Sequence, residues 1–286
     1  MRPATPNPVQ RYLLATLDHA LHRLAGERGS DRNIHDARRD LKRARATLRL
    51  LRPALGEQRY KAHNYALRDA GRLIAPLRDA RSMIDAFDAL VEHAADAVGA
   101  GRVRAIRATL RADLDFVRRH LHPRSREVTA CRRIIRRQRA GLARAPLPSP
   151  ALPQSLAGIY RRARKAGRAI TPESSPEVLH EWRKRVKHVR NATAALQGLA
   201  GKPAARASAR ADHLGDVLGY DHDLAILAIV LSSKSMTSPD LDVGHQVEAL
   251  IAARRARLQR RARELGAALF EMKPARFVKQ VLGSSG

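Results

Sequence analysis

The chain has 286 residues, of which 44% are hydrophobic, 29% are charged and 3% are aromatic. Lysine and arginine outnumber aspartate and glutamate by 55 to 27, which gives a formal net charge of +28. The apolar content excludes a disordered basic tail, and the charge predicts a polyanionic partner such as nucleic acid, anionic lipid or polyphosphate. The one cysteine, Cys131, excludes an internal disulfide and a multi-cysteine metal site.

The longest purely apolar run, residues 224–231, is far shorter than the roughly 20 residues that a membrane-spanning helix needs. The N-terminal stretch MRPATPNPVQ has no apolar segment of the kind found in signal peptides. A single cysteine also fits a reducing compartment. We therefore expect a soluble cytoplasmic protein.

Apolar residues recur three and four positions apart, and no segment alternates strictly, which predicts an all-α protein. The strongest break is RAPLPSPALPQ, whose four prolines favour an extended connector. We therefore divide one domain, residues 8–274, into an N-terminal half (8–143), a connector (144–153) and a C-terminal half (154–274). In chain order, the predicted helices span residues 8–26, 31–52, 57–75, 79–97, 102–121, 125–143, 154–169, 176–197, 203–218, 221–231 and 240–272.

Two of these helices carry the same pattern of basic residues. NIHDARRDLKRARATLRLLRP in the first half and VLHEWRKRVKHVRNATAALQG in the second both contain His-x2-Arg-x3-Lys-x2-Arg. At this spacing the matched side chains form one row, rotated by about 100° from the apolar stripe of the same helix. Shared offsets indicate an internal duplication. The matched residues are His35, Arg38, Lys42 and Arg45 in the first helix, and His180, Arg183, Lys187 and Arg190 in the second.

Solvated helix faces are the alternative interpretation of these rows. Like charges one turn apart destabilise an isolated helix by about 0.2–0.5 kcal/mol per pair, so a ligand that offsets the repulsion is the stronger hypothesis. Successive turns place cations about 5.4 Å apart, and arginine and lysine both bind phosphate oxygens. If two such rows faced each other, they would form a basic cleft or tunnel that admits a flexible polyanion and excludes a DNA duplex.

The paired motif, in an arginine-rich helical chain of this length, resembles the conserved histidine α-helical domain (CHAD) family. The resemblance implies two pseudo-symmetric antiparallel bundles, of the four-helix type, around a central basic cleft. It also implies binding of inorganic polyphosphate without catalysis, and association with polyphosphate granules. Mapped onto this sequence, the family's basic site comprises His35, Arg38, Arg39, Lys42, Arg43 and Arg45 in the first half, and His180, Arg183, Lys184, Lys187, His188 and Arg190 in the second.

A second element supports the resemblance. APLRDA, residues 75–80, and GDVLGYDHDLAIL, residues 215–227, resemble the family's short turn with an aspartate that caps a helix or orients basic side chains. Asp79 and Asp221 are the predicted orienting acids, in equivalent places. Further basic residues extend the predicted site, namely Arg49, Lys61, Arg68 and Arg72 in the first half, and Arg206 and Arg210 on the corresponding helix of the second.

Two other functions compete with polyphosphate binding. The strings HD at His35 and DHD at Asp221 suggest a metal-dependent phosphohydrolase, but two-residue strings are frequent by chance, and we predict neither a metal site nor a cofactor. The charge alone favours nucleic acid, and we expect salt-sensitive binding of DNA or RNA at low salt. The paired histidines have three candidate roles, as phosphate donors, metal ligands or phosphoacceptors. The first is favoured and predicts tighter polyphosphate binding as the pH falls from 8 to 6.

Overall fold

The computed structural model describes residues 6–26, 31–92, 99–144, 147, 151–235 and 241–283. Within these ranges every regular element is a helix, which confirms the all-α prediction. The described helices are α1 Pro8–Ala25, α2 Asp31–Leu50, α3 Arg52–Leu55, α4 Glu57–Leu73, α5 Ala75–Val91, α6 Ala100–His120, α7 Arg126–Ala143, α8 Leu152–Arg168, α9 Pro176–Ala195, α10 Gln197–Ser235, α11 Leu241–Leu269 and α12 Pro274–Leu282.

Each half contains a ring of four helices in mutual contact. In the first half the ring is α1, α2, α4 and α7, and in the second it is α8, α9, α10 and α12. The two helices with the repeated motif, α2 and α9, pack against each other, and α5 packs against α10. The predicted apolar stripes are buried, including Leu41 and Leu48 of α2 and Val186 and Val189 of α9. The apolar stripe of each repeated helix therefore faces its own core, and the basic row follows the border with the other half.

Helix α12 lies beyond the predicted C-terminal boundary at residue 274. Its Phe277 ring stacks on Tyr160 of α8 with ring centroids 3.9 Å apart. The sequence carried a signal for this helix, since Pro274 opens it, apolar Phe277 and Val281 lie four apart, and Gly283 follows its end. The C-terminal half therefore extends to Leu282.

The predicted break between residues 218 and 221 is wrong, because α10 runs through it. Its one non-helical residue is Gly201, with φ 57°. Gly219 lies inside α10 against the guanidinium of Arg183, where an added Cβ would lie 3.5 Å from Nη2 in ordinary van der Waals contact. In the first half the corresponding break is real, because Pro76 lies in the first turn of α5 and cannot continue α4.

Helix α9 is anchored by Trp182, which is 1% exposed. Its ring lies between two glycines of neighbouring helices. A Cβ at Gly167 of α8 would lie 2.8 Å from Nε1 of the indole, and a Cβ at Gly266 of α11 would lie 2.5 Å from Cζ2. No larger residue fits at either position without displacing the ring, so the two glycines set the position of the basic helix.

The predicted connector falls mostly outside the described residues, which include only Leu147 between positions 145 and 150. Leu147 is buried, and its backbone N–H donates to Oε1 of Gln10 at 2.8 Å. Its carbonyl accepts from Nδ2 of Asn7 at 3.2 Å. Helix α8 begins at Leu152, so Pro153 belongs to a helical first turn and not to the connector.

Candidate anion-binding site

Many of the predicted site residues are already neutralised by a nearby acid. Where both side chains are exposed, such a pair contributes little to stability, but in every case the acid offsets the positive charge nearby. The pairs are Arg39 with Asp36 at 3.4 Å, Arg43 with Asp40 at 3.0 Å, Lys61 with Glu57 at 3.4 Å, Arg68 and Arg72 with Asp69 at 2.8 and 3.4 Å, and Lys184 with Glu181 at 3.0 Å.

A second group converges where the two halves meet. We call it the central basic site and define it by Arg38 and Lys42 of α2, Arg78 of α5, and Arg183 and Lys187 of α9. The charge of Arg183 lowers the pKa of both lysines, and the charge of Lys42 lowers the pKa of Lys187. The five cations are therefore close enough to repel one another across the boundary between the halves.

The two lysines of this site lie among other cations. Burial and the charges of Arg38 and Arg183 lower the pKa of Lys42 to about 8, although Lys42 remains accessible to water. Burial and the charges of Arg183 and Lys42 lower the pKa of Lys187 to about 7. Throughout the described ranges, no carboxylate forms an ion pair with either lysine. Asp79 acts on Lys42, and Asp216 and Asp223 act on Lys187, but burial and the neighbouring cations outweigh these carboxylates.

The three arginines differ in how they are held. Nη1 of Arg38 donates to the carbonyl of Ala75 and to Oδ1 of Asp79, both at 2.8 Å. Nε of Arg183 and Nη1 of Arg78 are buried without a hydrogen-bond partner in the described part of the chain. An unpaired buried donor is costly, and a phosphate oxygen would satisfy it with a charge-assisted hydrogen bond. Both arginines therefore retain N–H groups that the described residues do not satisfy.

The acid that corresponds to Asp79 is Asp223 and not Asp221 as the sequence predicted. Asp223 lies beside Arg183, whose charge opposes the burial that raises the pKa of the carboxyl. Asp221 accepts from Nε of Arg255 at 3.1 Å and Nε2 of Gln259 at 2.9 Å, both on α11. Two residues along a helix correspond to a rotation of about 200°, which turns Asp221 away from α9.

Histidines flank the central basic site. The rings of His180 and His222 are in contact, with centroids 4.2 Å apart and a tilt of 36° between the planes. Burial and the charge of Arg183 lower the pKa of His222 to about 4. Burial and nearby cations also lower the pKa of His180 and of His35, with Lys184 and Arg78 the largest charge contributions respectively. The two histidines of the repeated motif, His35 and His180, are therefore mostly neutral at pH 7 in the free protein.

His35 also lines a cavity of about 310 Å³ beside the central basic site. Arg32, Arg78 and Arg81 line the same cavity, together with Asp31 and Asp85. The cavity therefore places the first histidine of the repeat among three arginines, where a bound anion would favour its protonated form.

Two predicted residues, Arg206 and Arg210, lie away from the central basic site. They line a small cavity with Phe277 of α12, and Nη2 of Arg210 donates to the carbonyl of Ala268 at 2.7 Å. The prediction aligned the third helices of the two halves incorrectly. The offset that relates Gly71 to Gly215, each of which packs on its repeated helix, places Asp212 and Asp216 opposite Arg68 and Arg72.

Arg190, the last residue of the repeated motif in the second half, is held by one of these acids. Its Nε lies 2.8 Å from Oδ1 of Asp212, and its Nη2 lies 3.1 Å from Oδ2. The counterpart in the first half, Arg45, instead donates from Nε to the neutral amide oxygen of Asn64 at 3.0 Å. The two copies of the motif therefore differ in charge at this end.

The sequence reasoning missed several residues that the fold brings to the site. Arg78, His222 and Asp223 stand within the quoted turn sequences but were not selected. Two more arginines were not selected, namely Arg185 of α9 and Arg162, which belongs to the basic run YRRARKAGR of α8. The position of each depends on packing between helices.

The described residues contain no group of three histidine, cysteine, aspartate or glutamate side chains placed to hold a metal ion. The DHD string is divided between two surroundings, since Asp221 contacts α11 and Asp223 lies beside Arg183. A search of the described helices for a stretch able to cross a bilayer finds none.

Comparison with known proteins agrees with this geometry. A solved structure, PptA from Streptomyces chartreusis, is similar with a TM-score of 0.70 and 18% identity, over 94% of this chain and 100% of that one. At this identity the likeness shows the fold alone. No curated protein sequence matches the chain. The CHAD domain model matches residues 11–232, more than half of the chain, and the protein therefore belongs to the CHAD domain family.

Proposed function

We propose that this CHAD domain binds inorganic polyphosphate in the central basic site. The observation that carries the proposal is the convergence of unpaired cations from three helices, with Lys42, Arg78 and Lys187 each lacking a carboxylate partner among the described residues. A row of phosphates supplies a negative charge at each position, so one ligand neutralises all of these groups together. Membership of the CHAD family supports the same ligand.

The chemistry of the site favours a narrow polyanion over a nucleic acid. Aromatic residues make up 3% of the chain, which leaves few surfaces on which bases could stack. The cations lie where two halves of the molecule meet, and a duplex is too wide to follow them between the helices. The site's own acids, Asp79 and Asp223, lie beside its arginines, which supports a binding role without catalysis. We further propose that binding recruits the protein to polyphosphate granules.

Competition between polyphosphate and duplex DNA tests the ligand. With equal concentrations of negative charge and near-physiological salt, we expect labelled polyphosphate to remain bound while DNA is displaced. Diffuse electrostatic binding weakens steeply with salt, whereas a site with fitted donors retains its ligand. Fluorescence anisotropy with either ligand labelled provides the measurement. Displacement of polyphosphate by DNA would replace our proposal with the nucleic-acid function.

Polyphosphate affinity is expected to rise as the pH falls from 9 to 6. Bound phosphate raises the pKa of Lys187 above its free value of about 7, and the pKa of Lys42 above about 8. Between the free and bound pKa values the complex holds more protons than the free protein, so affinity falls as pH rises through that window. The histidines act in the same direction at lower pH. Each proton taken up contributes at most about tenfold per pH unit.

Two variants separate the contributions to this pH dependence. Lys187→Arg keeps a positive charge throughout and is expected to make the profile less steep above pH 7, where Lys42 still titrates. His35→Gln with His180→Gln is expected to flatten it below pH 7, because the pKa of each histidine is lowered in the free protein. Isothermal titration calorimetry at five pH values provides the affinities. A wild-type affinity that stays constant from pH 6 to pH 9 contradicts the role of both groups.

A further inference from the structure

A second cluster of cations continues from one end of the central basic site. We call it the lateral basic site and define it by Arg45 and Arg49 of α2, Arg162 of α8 and Arg185 of α9. Burial lowers the pKa of Arg49, and the charges of Arg185 and Arg162 lower it further. His188 lies among all four, since the charge of each lowers its pKa. From Lys42 to Arg49, α2 rises by about 10 Å, so the two sites are adjacent.

The lateral basic site is poorly neutralised. Arg185 pairs with Glu181 at 2.7 Å, but Glu181 also holds Lys184. Nη1 of Arg49 donates to the backbone carbonyl of Arg45 at 2.9 Å. Over the described ranges, no carboxylate forms an ion pair with Arg45, Arg49 or Arg162. The site therefore carries an excess of positive charge that its own surroundings do not balance.

The internal duplication allows a direct comparison with the other side of the molecule. The repeat relates Arg185 to Asp40 and Arg49 to Ala194, by the offset that relates His35 to His180. Beside Arg45 lie Arg68 and Arg72, and their counterparts are the acids Asp212 and Asp216. At each of these positions, the side of the molecule with the lateral basic site has a cation. The pseudo-symmetric side has an acid or an uncharged residue instead.

On the pseudo-symmetric side, Asp212 and Asp216 lie close to the cations that remain there. Asp212 forms two contacts with Arg190, the counterpart of Arg45. The carboxyl of Asp216 lies close enough to Lys187 and Arg190 for both charges to lower its pKa, against burial and Asp212, which raise it. An anion that left the central basic site in this direction would meet two carboxylates and a neutralised arginine.

We propose that a long polyphosphate chain leaves the central basic site in one direction only, over the lateral basic site, and that Asp212 and Asp216 keep it from the pseudo-symmetric path. The inference rests on the proposed function, because it concerns the continuation of the same ligand. It assigns Arg162 and Arg185 to the binding surface of long chains. It also removes Arg190 from that surface, although Arg190 belongs to the repeated motif.

Two ligand lengths and one pair of variants test the path. Tripolyphosphate is short enough to be held by the central basic site, whereas a long chain reaches both sites. Arg49→Gln with Arg162→Gln is expected to weaken long-chain binding by about 100-fold, at about tenfold for each arginine. Tripolyphosphate affinity is expected to change by less than about twofold. Arg257→Gln with Arg261→Gln, which removes two charges from an exposed face of α11, is the matched control.

The reciprocal variant, Asp212→Asn with Asp216→Asn, is expected to raise long-chain affinity by about tenfold, because it frees Arg190 and removes two repelling charges. Wild-type protein that binds neither ligand overturns the proposed function itself. Wild-type protein that binds both, with a long-chain affinity that neither Arg49/Arg162 nor Asp212/Asp216 variants alter, overturns the one-sided path alone. Circular dichroism on each variant verifies that the helices are intact.

Discussion

Replacing Arg183 and Lys187 with glutamine is expected to weaken polyphosphate binding at least about 100-fold. Each change removes a charge-assisted contact with an estimated value of about 1.5–3 kcal/mol. Neither side chain forms an ion pair with a carboxylate in the described part of the chain, so both are free to bind phosphate, and the buried Nε of Arg183 has no other partner. Isothermal titration calorimetry with a long chain at near-physiological salt measures the loss.

A matched pair on another face distinguishes a site from diffuse charge. Arg257 and Arg261 are exposed on α11, and Arg261 already pairs with Glu264 at 2.9 Å. Replacing these two with glutamine removes the same total charge and is expected to change the affinity by no more than about threefold. Equal losses from the two pairs would show that net charge alone binds the ligand.

The Arg183/Lys187 variant is also expected to fold at least as stably as the wild type. The pKa of Lys187 is about 7 in the folded protein and 10.5 for an ordinary lysine, so the unfolded chain binds more protons between those values. The free energy of unfolding of the free wild-type protein therefore rises with pH over that window. At pH 7, folding disfavours the protonated form of Lys187. Thermal unfolding of the free variant measures its stability. If its melting temperature is lower than that of the wild type, the loss of binding results from misfolding.

Replacing Trp182 with alanine is expected to cost about 3–5 kcal/mol of unfolding free energy, the range for a large aromatic side chain lost from a core. Trp182 is 1% exposed and fills the space between α9 and the glycines of α8 and α11. Its loss leaves a cavity directly behind the basic row. Urea denaturation gives the free energy, and polyphosphate affinity is expected to fall in parallel as α9 loses its fixed position.

The glycines provide a matched control for this packing. Gly266→Ala introduces a Cβ 2.5 Å from Cζ2 of Trp182 and is expected to destabilise the fold by about 1–3 kcal/mol through overpacking. Gly198 lies in α10 with nothing within 4 Å of the added Cβ, so Gly198→Ala is expected to be neutral or slightly stabilising. A Gly266→Ala variant as stable as Gly198→Ala would mean that Trp182 is not held by this contact.

The repeated helices were predictable because their information is local. Within one helix the spacing of His35, Arg38 and Lys42 determines both the apolar stripe and the basic row beside it. The burial of Leu41 and Val186 follows the same periodicity in both halves. Fold class and the identity of the two important helices therefore follow from the order of residues alone.

Contacts between helices could not be predicted from the spacing of residues within one helix. Arg206 and Arg210 were assigned to the site as basic residues on the counterpart of α4, whereas packing on α9 places Asp212 and Asp216 there. Gly219 was interpreted as a break because glycine often ends a helix, but here it lies beneath the guanidinium of Arg183. Each error concerns a partner on another element, and a periodicity within one segment contains no information on that partner.

Pro76 causes the matched arginines of the two copies of the repeat, Arg38 and Arg183, to be held differently. By ending α4, it places Ala75 and Asp79 in the first turns of α5, where both accept hydrogen bonds from Nη1 of Arg38. The second copy has an unbroken helix with Gly219 at that place, and Arg183 rests over it without such a tether. One arginine is thus fixed by two acceptors of its own half, whereas the other is fixed by none among the described residues.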